Sequence, residues 1–184
     1  MKIEHKRILK LATILLSSLF IASVSASVYY TMFMNATVGV AANKVQFWAG
    51  SDFATAGGSI SDARQKVTFS SMDGLNGSVT TITDPVRINN TDSSNGYTIE
   101  LKLDSWTGDT ETDLYYVNVT MYDGSTKKGD TIYLVPGGSG QVSTTGQQTI
   151  AAGANWRVQW DIYWKGSATA SDSVTVNLKL EVTS

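Results

Sequence analysis

Side chains that act as nucleophiles, general bases or soft metal ligands at neutral pH are almost missing from this chain. It has no cysteine and a single histidine, His5. Ser-His, Cys-His and His-metal chemistry each need such a group held against a partner. His5 sits among Lys2, Lys6, Arg7 and Lys10, ahead of an apolar run that reads as a leader, so it is not expected in a folded site. Acids remain. Asp104, Asp109, Glu111 and Asp113 gather in one turn and offer the hard oxygen ligands that suit calcium. Their spacing matches no EF-hand loop and reads as a solvated turn, so no metal is assigned. No carboxylate pair stands out for glycosidic cleavage. "PGGSGQ" from Pro136 lacks the lysine and helix that follow a phosphate-cradling loop. Neither a catalytic residue nor a cofactor is expected, and the chain reads as a non-enzyme.

Two other chemistries have candidates. Asn35, Asn76, Asn89 and Asn118 each begin an Asn-x-Ser/Thr sequon, the acceptor pattern for N-glycosylation. Asn35 and Asn118 fall on the polar side of alternating stretches, and Asn76 and Asn89 near turns or strand ends; ordinary polar surface explains the pattern equally. Aromatic rings can stack on sugars. Trp156, Trp160 and Trp164 share a stripe with Val158 and Ile162 and read as core. Tyr116, Tyr122 and Tyr163 lie on outward faces, where they can meet a glycan or a neighbouring filament.

The elements that would carry these residues follow a secretory plan. The basic residues at positions 2 to 10 precede a mostly apolar run to Val24, then the small-x-small end Val24-Ser25-Ala26. That is a signal peptide with cleavage between Ala26 and Ser27. The membrane is expected as a partner only through this segment before cleavage. The chain carries 14 basic and 16 acidic residues. Cutting at Ala26 removes four bases and one acid, leaving ten against fifteen and a net charge of −5. No basic patch remains to neutralise phosphates, so nucleic acid is not expected as a partner. Ser and Thr number 43 among 184 residues, a surface typical of extracellular β-proteins.

Beyond the leader the pattern is β. "YTIELKLD" from Tyr97, "YVNVTMY" from Tyr116, "NWRVQWDIYWKG" from Asn155 and "SVTVNLKLEVT" from Ser173 alternate apolar and polar residues. Such alternation marks sheets with one buried face. Shorter candidates begin at Lys44, Lys66, Ser78, Val86 and Asp130, separated by Asp-Gly, Asn-Gly and Pro-Gly-Gly turns. Asp84-Pro85 reads as a break between strands, and residues 49–63 as a loop with one helical turn. Nine or ten strands predict an all-β fold, an antiparallel jelly-roll or Greek-key β-sandwich. The expected layout is a signal peptide at 1–26, an N-terminal strand and linker at 27–43, and a sandwich at 44–184.

The stretch at 27–43 stands out. Val28, Tyr30, Met32, Met34, Ala36, Val38 and Val40 form an unbroken apolar stripe directly after the predicted cut. Burying four or five of them fully is worth on the order of 10 kcal/mol at most. One reading makes this the first strand of its own sandwich. The other makes it a donated strand that completes a neighbour's sheet, with "GVAANK" at 39–44 as the flexible link. Head-to-tail donation generates an open filament.

The order of these segments resembles the TasA and camelysin-like fibre proteins of bacteria and the related archaeal bundling pili. The likeness rests on the signal peptide, the aromatic-containing N-terminal strand, the "AGSD" stretch at 49–52 and a β-rich body. It is strongest over residues 8–55 and architectural beyond them. The resemblance implies a secreted subunit of an extracellular, cell-surface filament that supports biofilm. It further implies an extended N-terminal donor strand whose interface is Val28, Tyr30, Met32, Met34, Ala36, Val38 and Val40. The partner it implies is the chain itself, as a head-to-tail homopolymer with lateral bundling of filaments. Some camelysin relatives are described as metalloproteases; this chain has no H-E-x-x-H and no histidine beyond His5, so proteolysis is not carried over. Two alternatives stay open: a self-contained secreted sandwich that binds glycans or cell surfaces, and a surface protein anchored by residues 8–34.

Overall fold

The computed structural model describes residues 44–62, 64, 66–69, 72–108, 112–169 and 172–183. All lie in the compact unit Ala42–Ser184. Among these residues, a strand forms wherever the sequence alternates cleanly. The ten strands are β1 (Val45–Ala49), β2 (Gly58–Ile60), β3 (Val67–Phe69), β4 (Val79–Asn90), β5 (Tyr97–Trp106), β6 (Leu114–Asp123), β7 (Thr126–Leu134), β8 (Gln148–Ile150), β9 (Asn155–Trp164) and β10 (Val176–Thr183). They build a five-stranded sheet in the order β1-β4-β9-β6-β7, a three-stranded sheet in the order β10-β5-β8, and the hairpin β2-β3. Every pairing between these strands is antiparallel. The fold is all-β and consistent with a sandwich.

Period-2 patterning decides which side chains meet between the sheets. From β9, Trp156, Val158, Trp160, Ile162 and Trp164 all turn inward and are buried. Val117, Val119 and Met121 of β6 lie beside them, and Ile99, Leu101 and Ile150 belong to the same core. The three tryptophans are therefore core, as their shared stripe predicts. The β6–β7 hairpin closes through Gly124 and Ser125, with Asp123 opposite Thr126. Gly124 has φ +58°, the left-handed backbone that a two-residue hairpin demands and glycine supplies without strain.

One sequence reading needs correction and another is extended. Asp84-Pro85 does not separate two strands. β4 runs through it unbroken, and the register against β9 slips between Ile82 and Val86. A proline that cannot donate to a ladder is tolerated at such a bulge, where one strand has residues without partners. Over 49–62 the expected helical turn is present and a short strand is added to it. Ala56 N–H donates to Asp52 O at 2.9 Å in the turn, and β2 follows. Strands β2 and β8, three residues each, are too short to leave a periodic signal.

Candidate functional site

The two sheets cover each other's inner faces closely, and Val86, Val117, Val158, Trp160, Ile162 and Trp164 are each 8% exposed or less. A groove of about 1050 Å³ opens between them. Its floor is the inward face of the large sheet: Val86, Val117, Val158, Trp160, Ile162 and Trp164. One bank is β10, through Val176, Leu178 and Leu180; the other is the β3 region, through Val67, Phe69 and Met72. Lys66, Asp73, Asp172 and Lys179 give it a polar rim.

The groove exists because β10 is an edge. β10 pairs with β5 along Val176–Thr183 and with no other described strand, and β3 pairs only with β2. Both banks thus present strand edges with unfilled ladder positions. The effect on burial is direct. Ile99 and Leu101 of β5 are 0% and 2% exposed, whereas Val176, Leu178 and Leu180, one strand further out, are only half-buried. A second deficit lies in the floor: the Trp160 indole N–H is buried without a hydrogen-bond partner among the described residues. The groove has an apolar floor, a polar rim and two strand edges along its banks. It can take an extended, apolar-faced chain that supplies backbone donors and acceptors to the strand edges.

The stretch at 49–52 braces the fold near the β3 bank. The register of β1 ends at Ala49, opposite Val86, and the chain then crosses the β4 bulge. Gly50 passes so close that a Cβ on it would stand 2.0 Å from the carbonyl oxygen of Asp84. Asp52 Oδ2 accepts the backbone N–H groups of Thr83 and Asp84 at 3.0 and 2.9 Å. Asp84 is 5% exposed and accepts from the Ser51 N–H and from Arg87 Nε, the latter at 3.0 Å. Burial pushes the Asp84 carboxyl up. The Arg87 hydrogen bond, the Ser51 N–H and the charges of Arg87 and Arg157 outweigh burial and hold it below its ordinary value. Arg87 is raised in turn, chiefly by its bond to Asp84. "AGSD" is thus a clamp on a bulge, with a steric reason for the glycine and a hydrogen-bonding one for the aspartate.

The outer faces differ in chemistry. On the large sheet Tyr115, Tyr116, Tyr133 and Tyr163 cluster, with ring centroids 4.6 Å apart for Tyr115–Tyr163, 5.9 Å for Tyr116–Tyr133 and 5.7 Å for Tyr116–Tyr163. Burial and the nearby Asp161 raise the Tyr116 hydroxyl above its ordinary pKa. Asp161 accepts from Thr81 Oγ1 at 2.6 Å. On the small sheet the outer face is ionic: Lys102 Nζ lies 3.1 Å from Glu100 and 2.7 Å from Glu181.

The predicted site residues divide accordingly. Ala26, Ser27, Asn35 and the stripe Val28, Tyr30, Met32, Met34, Ala36, Val38 and Val40 lie outside the described residues. Asn76 is exposed and Asn89 half-buried. Asn118 points outward as read, opposite Asp161 and Tyr133. Its side-chain oxygen is nonetheless buried without a partner, and Thr120 of the same sequon is buried against Thr131 at 3.0 Å. Of the acid cluster, Asp109 and Glu111 lie outside the described residues; among the described residues no three metal-ligating side chains come together. The donation reading expects a receiving groove but does not say which strands border it. The best signal was the ten-residue alternation ending the chain, which marks β10 as having an apolar face and says nothing about how many neighbours it has.

The architecture so far defines a class: an all-β fold of antiparallel sheets consistent with a sandwich, with a groove bordered by the edge of the smaller sheet and by the β2-β3 hairpin. No protein-family model matches the chain, and no curated protein matches it.

Proposed function

We propose that this chain is a non-catalytic subunit of an extracellular filament, assembled by strand donation. Residues 28–40 of one copy fill the groove between β10 and β3 of the next. The open edge of β10 above an apolar floor carries this reading. A thirteen-residue strand spans roughly 40 Å, against roughly 26 Å for the eight residues of β10. Length is therefore ample, and the stripe's seven apolar side chains match a floor without charges. With the strand in place the smaller sheet would read β8-β5-β10-donor-β3-β2, a six-stranded layer facing a five-stranded one, in keeping with the jelly-roll expectation. Electron microscopy of the secreted protein tests the proposal: filaments are expected. A variant lacking residues 27–40 should fold, remain unassembled and gain thermal stability when a peptide of that sequence is added. Discrete monomers from the full chain, or unfolding of the deletion variant, would overturn it.

A second reading has one observation in its favour. The tyrosine cluster on the outer face of the large sheet, beside Asp161, is a surface on which a sugar ring can stack and donate hydrogen bonds. A self-contained glycan-binding module would show that binding as a monomer, and the same micrographs separate the two.

A further inference from the structure

We infer that the incoming strand runs antiparallel to β10, so that its first residues lie beside Thr183 and Val40 emerges beside Val176. This rests on the donation reading above and goes beyond it, because the sense of the strand decides whether the product is a filament at all.

The two ends of the sandwich can be told apart from hydrogen bonds. At one end the chain enters β1: Thr91 N–H donates to Lys44 O at 2.7 Å, and Val45 lies opposite Asn90. Asn90 Nδ2 donates to Asn95 O and Ala151 O, at 2.8 and 2.9 Å, beside the start of β5. Thr183 pairs with Thr98 there. Lys44 and the C-terminal end of β10 therefore share one end, the exit end. At the far end Val176 pairs with Trp106, Thr107 N–H donates to Thr175 O at 3.0 Å, and Trp164 meets Asn76. β10 runs from the far end to the exit end.

The link from Val40 to Lys44 is four residues and reaches about 14 Å. Wherever Val40 leaves the acceptor groove, the donor's exit end must therefore lie against that spot. A strand antiparallel to β10 brings Val40 out at the acceptor's far end. The contact is then exit end to far end, leaves a groove and a strand unused at the two termini, and repeats without limit. A strand parallel to β10 brings Val40 out at the acceptor's exit end. That contact is exit end to exit end and closes as a two-fold dimer with both grooves filled. Insertion into the chain's own groove is confined to the parallel sense by the same short link.

Two features favour the antiparallel sense. β10 offers eight ladder residues and β3 three. β3 leads toward Asn76 at the far end, so the donor is parallel to β3 when antiparallel to β10. The antiparallel ladder, slightly stronger per residue, thus falls on the longer bank. Side-chain size agrees. Toward the far end the floor carries Trp160, Ile162 and Trp164; toward the exit end it carries the smaller Val86 and Val158, with Phe47 at its margin. The antiparallel sense sets Ala36, Val38 and Val40 over the tryptophans and Tyr30, Met32 and Met34 over the valines. Large faces small along the groove, as close packing requires.

Cysteine pairs test this cleanly, since the chain has no cysteine of its own. Full-length variants carrying Thr183→Cys with Tyr29→Cys, Thr31→Cys or Phe33→Cys, and a second set with Thr37→Cys or Gly39→Cys, are secreted and oxidised. Denaturing gels then read the product. The expected result is a reducible ladder of dimers, trimers and higher species from at least one variant of the first set, and loss of its monomer band. Crosslinks between chains from the second set overturn the strand sense and leave donation standing. Crosslinks within single chains, or none from either set, overturn donation itself.

Discussion

β9 and β10 carry nearly the same message in sequence and different lives in the fold. Each alternates apolar and polar residues along its length, and each turns the apolar set toward the other sheet. β9 lies between β4 and β6, with ladders on both sides, and Trp156, Val158 and Ile162 are 2%, 2% and 6% exposed. Among the described residues β10 has β5 on one side only, and its matching residues Val176, Leu178 and Leu180 are half-buried, with Val182 at 37%. Alternation reports which face of a strand is covered. The number of neighbours depends on where distant strands end, and that is where the two part.

The comparison breaks most visibly at Trp156. It is among the largest fully buried side chains, with Ile88 across the β4 ladder. Trp156→Ala should cost about 3–5 kcal/mol, read as a lower urea midpoint with unchanged slope. The cost should be the same with or without residues 27–40, because β9 has its full complement of neighbours in the subunit alone. Dependence on the N-terminal segment would mean that the closed side is not closed.

The clamp on the β4 bulge comes next. Gly50→Ala pushes a methyl into the Asp84 carbonyl, and overpacking of this kind costs about 1–3 kcal/mol. Asp84→Asn should lose a similar amount, because it breaks a charge-assisted bond and weakens the hold on the Ser51 N–H. Its pH signature has a definite sign. The folded carboxyl titrates below its unfolded value, so its stabilisation is complete above about pH 4 and disappears as the pH falls through the folded value. The native chain should lose stability steeply below pH 4, and Asp84→Asn should show a shallower acid slope. Asp92 adds to the same acid limb. It is lowered to about 2, first by the Ser94 N–H and then by Asn95 and Tyr97. Equal acid slopes for the native chain and Asp84→Asn would remove Asp84 from the clamp.

What the sequence made legible follows from the range of the forces involved. Period-2 burial is local, so the strand cores around Ile99, Val119, Val158 and Leu178 could be read residue by residue. The Asp123-Gly124 hairpin could be read too, because turn chemistry needs only neighbours. Asp84-Pro85 misled because proline's missing N–H is a local fact, whereas a bulge depends on the partner strand and on Asp52, 32 positions away. Which strands border the groove was hidden for the same reason. Its banks, β3 and β10, are more than a hundred residues apart in the chain. The clamp had a visible marker in "AGSD", but its partner at Asp84 did not.

Leu178→Ala sharpens the contrast between the strands. In a variant without residues 27–40, a half-buried leucine at an open edge should cost roughly 1–2 kcal/mol, since part of its area never left water. In assembled filaments, or with the 27–40 peptide bound, the same change should rise toward the 2–5 kcal/mol of a fully enclosed leucine. The difference, measured by urea unfolding with and without peptide, reports directly whether the groove has been filled. If Leu178→Ala costs as much without the segment as with it, β10 is already enclosed and the donated strand has no place to go.

The smallest effect is expected on the ionic outer face of the small sheet. Lys102 lies between Glu100 and Glu181, and Lys179 Nζ adds a contact to Glu181 at 3.0 Å. The bond to Glu181, then that to Glu100, raises Lys102, so what it contributes is present below its unfolded pKa and fades as the pH rises through the folded one. Lys102, Glu100 and Glu181 are half-buried at the surface, where salt still screens them. Lys102→Met should therefore move the unfolding midpoint slightly at low ionic strength and not at all in molar salt. Its methylenes would still cover the sheet. β5 and β10 are held on their inner faces, so filament assembly should survive this change where it fails on loss of residues 27–40. A variant that unfolds as badly as Trp156→Ala would show that the open sheet leans on its charges, and that its apolar side supports far less than the burial of Ile99 and Leu101 implies.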